Sequence, residues 1–160
     1  MASKTNKHVL LAITMVANFF NPFTGSAVNI ALPPIAEELH LHAGAMSWVT
    51  MSYLLASAVF LVPMGKIGDR WGRRALFLWG SVVFMVASFA CAFTVSATGL
   101  IAFRLLQGLG GAMMVSVSMA ILMAAFEPRE RGMMIGLNVA SVYLGLSAAP
   151  VLGGFITEYW

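Results

Sequence analysis

The chain has 160 residues, of which 60% are hydrophobic and 9% charged, with a formal net charge of +3. A soluble domain carries about 25% charged residues, so a water-soluble fold of this length cannot cover so much apolar surface, and the bilayer is the expected solvent. The basic residues lie in short clusters between apolar blocks instead of along one face. That pattern argues against a nucleic-acid partner and for membrane topology.

Five apolar blocks follow one another in chain order, at 9–32, 44–64, 75–93, 98–126 and 133–157. Each is long enough to cross a hydrocarbon core about 30 Å thick as a helix. None shows the apolar/polar alternation of a barrel strand. Lys4 and Lys7 precede the first block, which is too long for a secretory signal and has no small-residue cleavage site after it. It reads as an uncleaved span.

Lys66, Arg70, Arg73 and Arg74 lie between the second and third blocks, and Arg129 and Arg131 between the fourth and fifth. The connections 33–43 and 94–97 hold no Lys or Arg. The positive-inside bias therefore predicts a cytoplasmic N-terminus in the cell membrane, with Tyr159 and Trp160 at the outer interface. The span count is odd and the chain stops after the fifth, so the expectation is an N-terminal portion of a larger bundle with further C-terminal helices as its partners.

Polar residues interrupt three blocks. In the first, Asn18, Asn21, Gly25 and Asn29 fall on one side of a helix, beside Pro22, which frees the carbonyl of Asn18. Such a stripe either bonds a neighbouring helix or faces a watery cavity. In the fourth, Arg104 is the lone Lys or Arg inside a predicted span, one to two turns from its outer end. With Gln107, Gly108, Gly111 and Ser118 on nearly the same side, it either lines a cavity or snorkels to the interface. In the fifth, Ser141, Gly145, Ala149, Gly153 and Thr157 recur every four residues, a small-residue ridge that admits close helix approach, and Pro150 bends or loosens it.

The sole cysteine, Cys91, reads as a small buried hydrophobe, and the methionines as packing filler. His40 and His42 stand two apart without further metal-ligand spacing, so no metal is expected. No H-E-x-x-H, G-x-S-x-G or phosphate loop is present, so neither an enzyme nor a cofactor is expected.

The connection between the second and third blocks, Gly65-Lys-Ile-Gly-Asp-Arg-Trp-Gly-Arg-Arg74, reads as a short inner loop. Its glycines permit a tight reversal, and Asp69 among the cations is placed to accept hydrogen bonds or to meet the positive end of a helix. Gly65, Asp69, Arg70, Gly72, Arg73 and Arg74 fill every position of G-x-x-x-D-R-x-G-R-R/K. This resembles the signature of the major facilitator superfamily, where the loop latches the cytoplasmic side and helps to gate alternating access.

A second family element, R-x-x-Q-G-x-G-x-A, is matched by Arg104, Gln107, Gly108, Gly110 and Ala112, and the resemblance implies proton coupling at Arg104. A third, the antiporter element of the fifth span, is matched by Gly145, Pro150, Gly153 and Gly154, with Ala149 where the family has glycine. Asn29-Ile-Ala-Leu-Pro33, followed by Trp48 to Tyr53, is similar to the fourteen-span drug:proton antiporters, which carry Asp where this chain has Thr24.

The resemblance implies an all-α integral membrane fold, five helices of the six in a major facilitator N-terminal half. It further implies proton-coupled efflux of small amphipathic compounds through a cavity lined by Arg104, Gln107, Asn21 and Asn29. The alternative is a membrane piece that packs against a partner without transporting.

Overall fold

The computed structural model describes residues 7–159, with side chains through Phe155. Lys4, Trp160 and the side chains of Thr157 and Tyr159 lie outside that description. The described chain is five helices: α1 (Lys7–Glu38), α2 (Ala43–Trp71), α3 (Arg73–Ala92), α4 (Ala97–Ala125) and α5 (Arg131–Tyr159). In lipid each backbone N–H and C=O must find its partner inside the segment, which long helices achieve. At about 1.5 Å per residue, the 20 residues of α3 match the hydrocarbon core, while the 29 to 32 residues of the others exceed it.

The surplus explains two departures from the sequence reading. α1 does not end at 32. It continues through Pro33 and Pro34 to Glu38, and in this added stretch Ile35 packs against the cluster of Leu32, Val49 of α2 and Leu100 of α4, while Ala36 is buried. Leu39 and Leu41 then close its end by donating to the carbonyls of Ile35 and Ala36.

The segment 65–74 is not a loop. α2 runs helically to Trp71 and α3 begins at Arg73, leaving Gly72 alone between them. Gly72 makes the reversal at φ 101°, a backbone conformation that glycine tolerates, and its N–H donates to Gly68 O at 3.0 Å. Gly68 serves packing: a Cβ there would lie 2.5 Å from Cγ1 of Val117 on α4.

α4 is the hub. Half of its apolar stretch is buried, against 17–28% for the other four. α2 and α3 both pack along α4, α5 packs along α1, and α1 meets α4 and α2 more lightly. Tyr53, Leu76, Phe77, Phe84, Met114, Val117 and Ile121 form the main core where α2, α3 and α4 meet. Leu78, Trp79, Val82, Met85, Val86 and Phe89 of α3 are exposed. Water does not favour so large an apolar face, but lipid chains do.

The small-residue ridge of α5 is laid on α1. Ala149 is fully buried, and a Cβ on Gly145 would collide with the carbonyl of Phe19. Asn18 Nδ2 donates to Asn138 Oδ1 at 2.6 Å across the same seam. Such bonds between membrane helices contribute about 0.6 kcal/mol on average, so this one fixes register more than it adds stability.

Candidate functional site

Arg104 lies two turns into α4 and is 1% exposed. Its Nη1 donates to Gln107 Oε1 at 2.7 Å, one helical turn on. Gln107 Nε2 donates to Ser88 Oγ on α3 at 2.7 Å, and Ser88 Oγ donates to the Phe84 carbonyl at 2.7 Å. The chain of bonds fixes the Gln107 amide with its oxygen toward the guanidinium. It supplies no negative charge. On the other side the guanidinium carbon sits 5.0 Å from the centre of the Tyr53 ring, an attraction between cation and ring face. Nε of Arg104 is buried and has no hydrogen-bond partner among the described residues.

Arg104, Asn21, Asn29 and Tyr53 share the wall of one cavity of about 580 Å3 between α1, α2 and α4, to which α5 adds Leu146. Tyr53 Oη donates to both the side-chain and the backbone oxygen of Asn21. Thr50 Oγ1 donates to Asn29 Oδ1 at 2.8 Å. Leu54, Leu61, Val115 and Leu146 make much of the remaining wall apolar. A chamber that is mostly apolar, with a few converging polar groups, suits an amphipathic small molecule.

The polar stripe of α1 thus divides. Asn21, Gly25 and Asn29 face the cavity, while Asn18 is consumed by α5. Gln107 stands behind Arg104 and is not on the cavity wall. The glycines beside it also separate. Gly111 meets Asn21 at the cavity, Gly108 lies against the backbone of Tyr53 on α2, and Gly110 lies against Gly80 and Phe84 on α3. The small residues of α4 therefore mainly let three helices close in, and only one of these glycines opens onto the chamber.

Sequence reasoning overlooked Tyr53 as the neighbour of Arg104, Ser88 as the support of Gln107, and Asn138 as the mate of Asn18. Tyr53 and Asn138 are each a polar side chain within an apolar block, the same signal that marked Asn21. Ser88 gives almost no signal, since a serine can bond its own helix.

At the opposite end, Gly68, Asp69, Gly72, Arg73 and Arg74 line a second cavity of about 600 Å3. Arg73 Nη2 and Nε donate to Asp69 Oδ1 at 2.9 and 3.0 Å. The Asp69 side chain is 62% exposed, and an exposed pair of this spacing contributes about 0.3–0.5 kcal/mol. Arg70 is exposed on the last turn of α2, and Gly65 stands opposite Ser116 of α4. On the same side Lys7 Nζ donates to Glu130 at 2.7 Å, tying the start of α1 to the α4–α5 connection. The hydrogen bond from Lys7 holds the Glu130 carboxyl below the ordinary carboxylate value. On α5, Gly153 packs on Ala27 and Ile30 of α1, and Pro150 lies inside the helix. Gly154 stands one residue further along the same helix.

Five long apolar helices, with a buried cation on the wall of a cavity among them, describe a multi-pass membrane protein. The sequence pattern of the Major Facilitator Superfamily matches residues 14–160, and the chain belongs to that superfamily. Among curated relatives, it is 31% identical over 154 residues to the riboflavin transporter RibZ of Clostridioides difficile (strain 630), covering 96% of this chain and 34% of that protein. It is 36% identical over 151 residues to the tetracenomycin C resistance and export protein of Streptomyces glaucescens, covering 94% and 27%. It is 30% identical over 151 residues to the multidrug export protein EmrB of Escherichia coli (strain K12), covering 94% and 30%. The chain thus spans about a third or less of the length of these relatives.

Proposed function

We propose that the five helices belong to a transporter that exports small amphipathic compounds in exchange for protons by alternating access, with no enzymatic step. The observation that carries this reading is Arg104, buried in the wall of a cavity at membrane depth and held by a neutral amide. An Arg placed there without function is costly. The names of the relatives, two of them export proteins, support the direction of transport. Arg104 stays charged, so it acts by lowering the proton affinity of neighbouring groups and does not itself titrate. Further helices, such as the remaining length of the relatives supplies, would complete the chamber and hold the proton-binding acid.

In the cell membrane the N-terminus faces the cytoplasm, following the positive ends of the helices. The Gly65–Arg74 segment then lies on that side, with Asp69 and Arg73 as the cytoplasmic gate. The ridge from Gly145 through Pro150 to Gly153 and Gly154 lets α5 slide or bend on α1 between states.

The test is proton-gradient-driven efflux from inverted membrane vesicles, with membrane abundance measured alongside. Arg104→Ala should abolish efflux at unchanged abundance. Near-normal efflux would return Arg104 to a structural role.

A further inference from the structure

The cavity between α1, α2 and α4 is electrically one-sided. Among the described residues, Arg104 is the single charged one on its wall, and no Asp, Glu, His or Lys shares that wall. The partners of Arg104, Gln107 and Tyr53, are both neutral. The carboxylates whose side chains are described stand elsewhere: Glu37 and Glu38 at the end of α1, Asp69 near the end of α2, and Glu127 and Glu130 in the α4–α5 connection. The seat of the Asp found in similar antiporters is taken by Thr24, whose hydroxyl bonds back to the carbonyls of Phe20 and Asn21 and is not on this wall.

An unpaired buried cation and an unused buried donor both call for an oxyanion. A hydrogen bond to a charged acceptor is about twice as strong as a neutral one, and a buried donor left unmade is costly. The Nε of Arg104 is such a donor. The rest of the wall sets the remainder of the ligand. Leu54, Leu61, Val115 and Leu146 suit an apolar ring system, and Tyr53 offers a ring face beside the cation.

We propose that this cavity selects anionic aromatic compounds, with a carboxylate, sulfonate or phenolate directed at Arg104, and rejects cations of the same shape. This rests on the reading of the cavity as the substrate chamber. A ligand charge about 6 Å from the guanidinium, in surroundings of effective dielectric near 20, shifts binding by roughly a hundredfold. Side-chain and water rearrangement reduces that, so at least tenfold discrimination is expected.

Fluorescein and rhodamine 6G share a xanthene frame and carry opposite charge at pH 8. Their binding to the purified protein in lipid nanodiscs is read by fluorescence polarisation. Fluorescein should bind at least tenfold more tightly. Arg104→Gln, which keeps a planar polar group but no charge, should bring the ratio of the two affinities close to one. Arg104→Lys, which keeps the charge, should retain most of the preference even where transport fails, separating charge from shape. Equal binding, preference for rhodamine 6G, no binding of fluorescein, or an unchanged ratio in Arg104→Gln would each overturn the proposal. Anion preference without proton-driven efflux would leave this inference standing and remove the transport reading. Efflux with cation preference would do the reverse.

Discussion

Gly110→Ala probes how closely α3 and α4 approach. A Cβ at Gly110 would lie 2.6 Å from the Phe84 nitrogen, 2.9 Å from its Cα and 2.9 Å from the Gly80 carbonyl oxygen. All three are backbone atoms, so no side chain can turn aside. Favourable contacts need about 3.5–4.0 Å, so α3 must retreat by roughly 1 Å. Overpacking of this kind costs about 1–3 kcal/mol, and contact with backbone alone places it near 3. Alanine recovers about 1 kcal/mol of helix propensity over glycine, for a net loss near 2 kcal/mol, about thirtyfold in the unfolding equilibrium.

The assay is unfolding in mixed micelles followed by circular dichroism, with Gly136→Ala as control. Among the described residues nothing lies within 4 Å of a Cβ at Gly136, so that variant should match or exceed the parent. A retreat of α3 also carries Ser88 away from Gln107, lengthening their 2.7 Å bond and loosening the support of Arg104. Transport should therefore fall more than stability alone predicts. A Gly110→Ala protein as stable as the parent would refute the close approach and the reasoning built on it.

Asp69→Asn should change stability by less than about 0.5 kcal/mol, because its pair with Arg73 is exposed. Transport should nevertheless fall and labelling of the cytoplasmic side should rise; if both stay at parental values, the gating role is wrong. The Lys7–Glu130 tie should depend on pH in one direction. The Glu130 carboxyl is held below its ordinary value, so the tie is fully present above that value and is lost as pH falls through the depressed one. Spin labels introduced by Val9→Cys and Arg129→Cys in a Cys91→Ala background should report a longer, broader distance in acid. An acid-insensitive distance, or one already broad at neutral pH, would remove the tie.

The number of helices, their membrane character and the family signatures were legible in the sequence because they depend on local quantities. An apolar run of about 20 residues has one good solution in lipid, and a cation or proline within it stands out against a uniform background. Arg104, Asn21 and the ridge on α5 were found that way. Conformation near a glycine was less legible. Gly65 to Arg74 looked like a loop, yet one glycine turns the chain and another seats α2 against α4.

Which partner each polar group chose was decided only by the tertiary structure. Asn18 and Asn21 stand less than one turn apart with the same side chain, but the rotation of α1 between α5 and the cavity gives one to Asn138 and the other to Tyr53. Arg104, the amide of Gln107 beside it and the lack of an acid at its depth were visible in the sequence, but the groups that other helices bring to it were not. Ser88 comes from α3 and Tyr53 from α2, and contacts between distant segments leave no trace in the local pattern of a single chain. Hydropathy thus fixed the solvent and the number of crossings, and helix packing fixed the charge inside the chamber.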